Sequence, residues 1–392
     1  MKRLFRIGVF FLKLWTAYII AFFLKIFNHK YRNLWIISER GDDARDNGYF
    51  FFKYIREKHS EINIWFVIDP ASADFEKVNS LGKWVKHNSF WHFVVYATAI
   101  IRLSSSTWGG DLPYAAYFQN ITHKVNPRKP FVWLKHGVDK EYAPAEMATC
   151  FYPSLLICGA YPEYIYSKNT YKHKDGVIQY TGLSRFDNLH GELKTKNQIL
   201  VMPTFRKWLS VKDKSIVENS EFCERYNKLL HDQRLYELLR QNDLDLIFYP
   251  HYVMQPFADC FTTDCERIKI AKFKDYDVQQ LLIESKLLVT DFSSVFFDFG
   301  YMNKPSVYYH FDRERYINEH YDFTKGYFSY DDDGFGEVAF EHDTLVDLIE
   351  QYIKRDFTLS DEYSARISKF FPLQDTRNSE RIYEKIMDLL KK

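Results

Sequence analysis

Short apolar runs alternate with amphipathic stretches along the chain after residue 33. In the first half the apolar runs lie at 34–38, 62–69, 100–106, 131–137 and 154–160. In the second half they lie at 198–204, 244–252, 287–294 and 306–311. The stretches between the later runs predict helices at 221–241, 278–285 and 295–302. Strands that alternate with helices are typical of parallel, doubly wound sheets, so the pattern predicts an α/β protein with two Rossmann-like domains facing one cleft.

The boundary between the two predicted domains lies near residues 182–196. The segment GLSRFDNLHGELKTK has no sustained apolar period there, as expected of a connection. We therefore predict an N-terminal segment at 1–30, a first domain at 31–188 and a second at 189–392. The last predicted helix, from about 379 to 389, is compatible with either half and is placed in the second.

The N-terminal segment is far more apolar than the rest of the chain. Between residues 4 and 27 the apolar run is interrupted by Arg6, Lys13 and Lys25. Its longest uncharged stretch, 14–24, is shorter than the roughly 20 residues that a bilayer span needs. No small-residue cleavage site of a signal peptide follows. We predict a helix in the headgroup region of a membrane. A helix packed on the protein's own core and a tilted span over 4–27 are the alternatives.

Composition excludes several other classes. Apolar residues make up 46% and charged residues 27%, which excludes a disordered chain and a polytopic membrane protein. The 53 Lys and Arg balance the 52 Asp and Glu, which argues against a protein that coats nucleic acid. The five cysteines contain no C-x-x-C pair. They predict reduced thiols in a cytosolic chain rather than a disulfide framework or a zinc ribbon.

Candidate chemistry lies where apolar runs end, since doubly wound folds bind ligands beyond the carboxyl ends of their strands. FVWLKHG places Lys135, His136 and Gly137 at such an end. Histidine takes up a proton near neutral pH, and glycine allows a ligand to approach the backbone. A lone histidine is more often structural, so the spacing alone leaves both interpretations open.

Two further strand ends carry His251 and Arg206. LDLIFYPHYV ends in Pro250-His251, and the proline sets the direction from which the histidine projects. MPTFR places Arg206 beyond another strand. Arginine pairs bidentately with phosphate oxygens, although many such residues only close an ion pair.

LLVTDFSSVFFDFG is the most specific pattern. A strand leads into Asp291, then Ser293 and Ser294, and then a predicted helix that contains Asp298. Hydroxyls and unpaired backbone N–H groups at a helix start bind anions, and a serine there also acts as an N-cap. No Walker motif or metal-ligand cluster is present in the sequence, so no cofactor is predicted.

These motifs, in this order, resemble those of the CDP-glycerol glycerophosphotransferase family of teichoic acid primases and polymerases. The resemblance covers about residues 31–390 and rests on LKHGVDK, MPTFR, YPHYV and LVTDFSSVFFDFGYMNKPSVYYHFD. It implies the GT-B architecture and transfer of glycerol phosphate from CDP-glycerol to an acceptor hydroxyl, with release of CMP. It also implies a polyprenyl-diphosphate-linked glycan as acceptor and a peripheral position at the cytoplasmic face of the bacterial membrane.

The resemblance also implies roles for the candidate residues. His136 is then the base for the incoming hydroxyl, and Asp291 orients a neighbouring group. His251 is then a third catalytic residue beside His136 and Asp291, and with Arg206, Ser293 and Ser294 it holds the diphosphate and stabilises the leaving CMP. The further substrate-binding residues are then Lys135, Gly137 and Asp298. The alternatives are a ribitol-phosphate transferase that uses CDP-ribitol, a sugar-transferring GT-B enzyme, and a non-catalytic membrane scaffold. A teichoic acid or a capsule polymer as product, and a monomer or a homo-oligomer, stay open.

Overall fold

The computed structural model describes residues 2–106, 112, 129–149, 151–209, 213–320 and 325–391. Its contacts divide the chain into two units. The first unit comprises Met1–Val138, Pro144–Asn188 and Asp375–Lys392. The second unit comprises Asp139–Ala143 and Leu189–Gln374.

The strands within the described ranges are β1 (Trp35–Ser38), β2 (Ile64–Ile68), β3 (Lys83–Lys86), β4 (Ile101–Ser104), β5 (Phe131–Trp133), β6 (Leu155–Cys158), β7 (Ile178–Tyr180), β8 (Gln198–Met202), β9 (Asp245–Phe248), β10 (Ile268–Ile270), β11 (Leu287–Thr290), β12 (Ser306–Tyr309) and β13 (Gly336–Ala339). The α-helices are α1 (Lys2–Phe27), α2 (Asn47–Lys58), α3 (Phe75–Leu81), α4 (Phe90–Thr98), α5 (Tyr161–Thr170), α6 (Lys214–Glu218), α7 (Glu221–Leu230), α8 (Gln233–Gln241), α9 (Val278–Glu284), α10 (Val295–Tyr301), α11 (Arg313–Glu319), α12 (Tyr330–Asp333), α13 (His342–Lys354), α14 (Asp361–Phe370) and α15 (Asn378–Lys391).

Each unit has its own parallel sheet. The strand order in the first unit is β3-β2-β1-β4-β5-β6-β7, and in the second it is β10-β9-β8-β11-β12-β13. Every paired neighbour runs parallel. Both orders are of the doubly wound type, so the predicted fold class is confirmed.

The last helix corrects the predicted second domain, 189–392. Residues 375–392 belong to the first unit. The backbone N–H groups of Asn378 and Ser379 donate to the Asp187 carboxylate at 2.8 and 2.9 Å. Arg381 donates to the carbonyl of Thr181 at 2.9 Å. The start of α15 is therefore held by the polar segment that follows β7.

One predicted helix is two helices in the structure. The pattern predicts a single helix over 221–241, but α7 ends at Leu230 and α8 begins at Gln233. Asp232 lies between them as the N-cap of α8, where its carboxylate accepts from the backbone N–H of Leu235 at 2.7 Å. Aspartate favours N-caps over helix interiors, and this explains the break.

Helix α1 has a buried face and an exposed face. Phe10, Leu14, Ala17 and Ala21 recur at helical spacing, are buried, and belong to one apolar cluster with residues of α4. The exposed large apolar side chains of α1 are Phe5, Leu12, Trp15, Ile19, Phe22, Phe23, Ile26 and Phe27. By length and composition alone, Phe5–Phe27 is able to cross a membrane. The packing on the protein's own core, one of the alternatives above, therefore holds for one face of the helix.

Four cysteines lie within the described residues. Cys158, Cys223 and Cys260 are buried, and Cys265 is half-buried. Cys150, the fifth cysteine of the sequence, lies outside the described residues.

Candidate functional site

Each sheet has a point where the strand order reverses. In the first unit it lies between β1 and β4, and in the second between β8 and β11. Ligands of doubly wound sheets bind beyond the carboxyl ends of the strands at this point. Arg206, Asp291, Ser293 and Ser294 follow the switch-point strands of the second unit, whereas His136 follows β5 and His251 follows β9.

Lys135 turns inward at the end of β5. Its backbone has φ of +59°, which is uncommon for a residue other than glycine. The ammonium is buried and lies 2.8 Å from Glu163 and 3.5 Å from Glu146. Its carbonyl accepts from the Asn47 side chain at 2.9 Å. The structure therefore places Lys135 in the interior, where its side chain fixes the loop.

His136 projects outward from the same loop, while the neighbouring Gly137 is buried. The His136 side chain is 75% exposed. Its Nδ1 donates to Oδ2 of Asp46, and its carbonyl accepts from Arg185. The negative charge of Asp46 and the hydrogen bond to it raise the pKa of His136. An exposed, oriented imidazole at a strand's carboxyl end is suited to proton transfer.

Asp46 is held by three partners. It is the N-cap of α2, where Oδ1 accepts from the backbone N–H of Asn47 at 2.7 Å. The same oxygen accepts from Arg185 at 2.7 Å, and Oδ2 accepts from His136. Burial raises the pKa of Asp46, but the His136 and Arg185 charges outweigh it, and the pKa is lowered overall. Asp46 is therefore ionised at neutral pH.

Glu39 fixes the loop that carries Asp46. Its carboxylate accepts from the backbone N–H groups of Arg45, Asp46 and Tyr49 at 2.9, 3.0 and 2.7 Å. Burial, and then repulsion from Asp46, raise the pKa of Glu39 well above its usual range. A Cβ at Gly48 would lie 2.8 Å from Cγ of Glu39, so a side chain there would displace the carboxylate.

In the second unit, Arg206 lies in the interior rather than on a ligand-facing surface. Its side chain is 0% exposed. It donates to both carboxylate oxygens of Asp312, at 2.6 and 2.9 Å, and to Asp291 at 2.8 Å. It also donates to the carbonyl of Thr204 at 2.8 Å. The guanidinium therefore ties the ends of β8, β11 and β12 together.

Asp291 is equally buried and is part of this network. Its second oxygen, Oδ1, accepts from the backbone N–H groups of Thr204 and Phe292, at 2.8 and 2.6 Å. The carboxylate thus joins the loops after β8 and β11, on the two sides of the switch point. The resemblance implies that Asp291 orients a neighbouring group, and in the structure its carboxylate contacts Arg206 and two backbone N–H groups.

An aromatic stack surrounds this network. The Phe292 ring lies between His310 and Tyr316, with centroid distances of 4.2 and 3.8 Å. His310 donates from Nε2 to the carbonyl of Asp291 at 3.1 Å. Burial lowers the pKa of His310 to about 3, so this imidazole is neutral at physiological pH.

The remaining predicted residues of this unit lie on nearby loops. His251 is half-buried, and its ring centroid lies 5.0 Å from that of Phe205. Its Nδ1 accepts from the backbone N–H of Val253 at 3.3 Å. Ser293 and Ser294 are half-buried at the start of α10, and Ser294 makes no side-chain capping bond. Asp298 is buried within α10.

A cavity of about 430 Å³ opens beside Phe292. Aromatic, basic and acidic side chains line it, among them Phe292, Tyr316, Lys325, Arg313 and Asp331. Arg313 donates to both carboxylate oxygens of Asp331, at 3.3 and 3.0 Å. Aromatic rings stack on nucleobases, and cations pair with phosphate oxygens. Over the ranges that the structure describes, no cluster of three or more His, Cys, Asp or Glu side chains has a metal-binding arrangement.

Several partners in these networks were not predicted. Asp46 and Arg185 meet His136 from positions 90 and 49 residues away in the sequence. Asp312 meets Arg206 across 106 residues. For Asp46 the sequence shows an acidic residue directly before a helix, which indicates an N-cap and not a histidine partner.

Two doubly wound parallel units in one chain are the architecture of the GT-B fold class. Within that class the chain belongs to the CDP-Glycerol:Poly(glycerophosphate) glycerophosphotransferase family, whose family model matches residues 19–388.

Sequence relatives agree with this membership, and a solved structure shares the fold. The chain is 31% identical over 383 residues to the minor teichoic acid biosynthesis protein GgaB of Bacillus subtilis strain 168, covering 93% of this chain and 40% of that protein. It is 21% identical to the teichoic acid poly(glycerol phosphate) polymerase of the same strain, covering 88% and 47%. The chain thus spans less than half the length of these two relatives. A structure of the wall teichoic acid polymerase TagF, a variant soaked with CDPG for 15 minutes, matches with a TM-score of 0.66 and 15% identity, over 97% of this chain and 98% of that one.

Proposed function

We propose that the chain transfers glycerol phosphate from CDP-glycerol to a hydroxyl group of a lipid-linked acceptor glycan in teichoic acid synthesis. The acceptor oxygen forms a bond to the phosphorus nearer the glycerol. The bond from that phosphorus to the bridging oxygen breaks, and CMP leaves with the electron pair. The observation that carries the proposal is the exposed His136 imidazole, oriented at a strand's carboxyl end in a chain of this family.

His136 takes the proton of the acceptor hydroxyl in this proposal. Because Nδ1 is engaged by Asp46, Nε2 is the nitrogen that accepts the proton. Phosphoryl transfer needs positioning and charge stabilisation more than covalent chemistry. A positioned base contributes about 100-fold to 10,000-fold to the rate.

The second unit binds the donor in this proposal. The cytosine enters the 430 Å³ cavity against the edges of its aromatic rings, and Lys325 pairs with the diphosphate beside Arg313, which is itself paired with Asp331. Ser293 and Ser294 donate hydroxyl hydrogens to phosphate oxygens. His251 accepts a hydrogen bond at Nδ1, so its neutral form carries the proton on Nε2. From Nε2 it donates a hydrogen bond to the diphosphate. Arg206, Asp291 and Asp298 are buried, and we assign them to shaping the loops.

The exposed face of α1 binds the surface of the membrane in this proposal. Its apolar side chains include Trp15, Ile19 and Phe22, and such a face beside basic residues is typical of interfacial helices. The opposite face is packed along Phe10–Ala21 against α4, so a spanning α1 would draw a core element of the unit into the bilayer. In this proposal the chain acts at the cytoplasmic leaflet, the side of the membrane expected for a CDP-activated donor.

The test is CMP release by the full chain from a panel of CDP-glycerol, CDP-ribitol and UDP-sugars, with a lipid-linked acceptor in vesicles. We expect CMP from CDP-glycerol in the wild type and a loss of at least about 100-fold in His136→Ala. Preference for CDP-ribitol would assign the ribitol branch, and release of UDP would assign sugar transfer. Turnover of none of the donors would refute the proposal.

A further inference from the structure

We infer that Asp46 is the positioning residue for His136: its Oδ2 holds Nδ1–H and thereby directs Nε2 toward the acceptor hydroxyl. The inference rests on the proposed function and adds a residue that the sequence motifs did not indicate. Neutral imidazole carries one proton on one of its two nitrogens, and the partner of one nitrogen decides the chemistry of the other. A carboxylate on Nδ1 selects the tautomer whose Nε2 lone pair is available as a base.

The two oxygens of Asp46 have separate partners. Oδ1 caps α2 through the backbone N–H of Asn47 and also accepts from Arg185, while Oδ2 accepts from His136. An N-cap needs only one oxygen. The contact from Oδ2 is therefore not explained by helix capping.

The surroundings hold this pair in one geometry. Glu39 accepts from the backbone N–H of Asp46, and Arg185 donates both to Asp46 and to the carbonyl of His136. The Asn47 side chain donates to the carbonyl of Lys135 and accepts from the backbone N–H of Arg185 at 3.1 Å. Hydrogen bonds thus join the loops after β1, β5 and β7 around the imidazole.

The charged groups near the imidazole have opposing effects. Asp46 favours the protonated form, whereas Arg185 and Arg40 disfavour it. Glu39 lies behind Asp46, where burial and the repulsion from Asp46 raise the pKa of Glu39. Protonation of His136 at the reaction step therefore creates a charge that Asp46 directly compensates. Removing the Asp46 charge therefore lowers the pKa of His136 and makes its protonated form less stable.

The chain offers a matched control for this inference. Asp232 is also an N-cap aspartate that contacts a histidine, since it caps α8 and lies 2.7 Å from Nε2 of His342. Asp232→Asn therefore repeats the chemistry of Asp46→Asn at a place with no role in the reaction. Asparagine and serine are both good N-caps, so Asp46→Asn and Asp46→Ser preserve the start of α2.

The experiment measures CMP release against pH for the wild-type chain and these three variants in vesicles. For both Asp46 variants we expect kcat to fall by about 100-fold or more, with the KM for donor within about twofold. The acidic limb of the kcat/KM profile should move to lower pH, because the base loses the charge that raises its pKa. Asp232→Asn should leave kcat and the limb unchanged.

Titration of the His136 imidazole by NMR, assigned with His136→Gln, provides a readout independent of turnover. The pKa of His136 should fall in folded Asp46→Asn or Asp46→Ser and stay constant in Asp232→Asn. If wild-type turnover occurs and both Asp46 variants keep the wild-type kcat and pH limb, the positioning role is overturned. An unchanged His136 pKa in the Asp46 variants also overturns it. Absence of wild-type turnover with every CDP-polyol refutes the proposed function instead, and the NMR result then stands by itself.

Discussion

Replacing Arg206 by methionine tests whether the second unit depends on one buried cation. The substitution keeps an unbranched side chain of similar length but leaves Asp291 and Asp312 buried without their partner. Removing one member of a buried ion pair costs about 3–5 kcal/mol. Because Arg206 serves two carboxylates through three hydrogen bonds, we expect a loss near the upper end, about 5 kcal/mol. This corresponds to more than about a thousandfold in the unfolding equilibrium.

Arg234 supplies the control, since it also bridges two carboxylates of the same unit, Asp347 at 2.5 Å and Glu350, but its side chain is 47% exposed. Exposed ion pairs contribute about 0–1 kcal/mol, so Arg234→Met should stay within that range. Hydrogen exchange of peptides from β8 and β11, measured in detergent against urea concentration, reports the local free energy of unfolding. Equal midpoints for Arg206→Met and wild type, or equal losses in the two variants, would refute the reasoning.

Three further predictions follow from the same contacts. Ser293→Ala and Ser294→Ala should each weaken binding of CDP-glycerol about tenfold or more in calorimetric titration. Ser294→Ala should keep the wild-type melting temperature, since Ser294 makes no capping bond. Unchanged affinity in both variants would contradict the proposed donor site. Trp15→Glu combined with Phe22→Glu should release the chain from vesicles in sedimentation with unchanged circular dichroism, whereas continued sedimentation excludes this face as the membrane contact. The pKa of His310 is lowered to about 3, below that of an unfolded histidine near 6.5, so the second unit should lose stability as the pH falls from about 6.5 to about 3. His310→Gln should reduce the slope of unfolding free energy against pH by about one proton. An unchanged slope would show that other groups cause the pH dependence.

Interior strands were predictable and edge strands were not. The runs at β1, β8 and β11 are apolar at nearly every position because central strands of a parallel sheet are covered on both faces. The strands at the sheet edges, such as β3 (KWVK) and β10 (IKI), are short and carry lysines. Such segments have no distinctive apolar period, and only pairing with a neighbouring strand makes them part of the sheet.

The positions of the site residues were predictable, whereas their partners were not. His136, His251 and Asp291 follow apolar runs, and the carboxyl ends of parallel strands meet at one edge of a sheet. The inward turn of Lys135 and the burial of Arg206 depend on Glu163 and Asp312, which are 28 and 106 residues away. No local pattern encodes such pairs, so the sequence predicted phosphate contact for an arginine whose donors are engaged within the protein.

The return of α15 to the first unit has a consequence for synthesis on the ribosome. Asp187, which accepts from Asn378 and Ser379, is translated about 190 residues before its partners. At about 5–20 residues per second, that gap lasts on the order of ten seconds or more. During this interval the nascent first unit lacks α15, and the apolar side chains Ile382 and Ile386 that α15 buries have not yet been made. A fragment cut at residue 188 would remain in that unfinished state, so isolating the first unit requires fusing residues 375–391 back to it, for example by circular permutation.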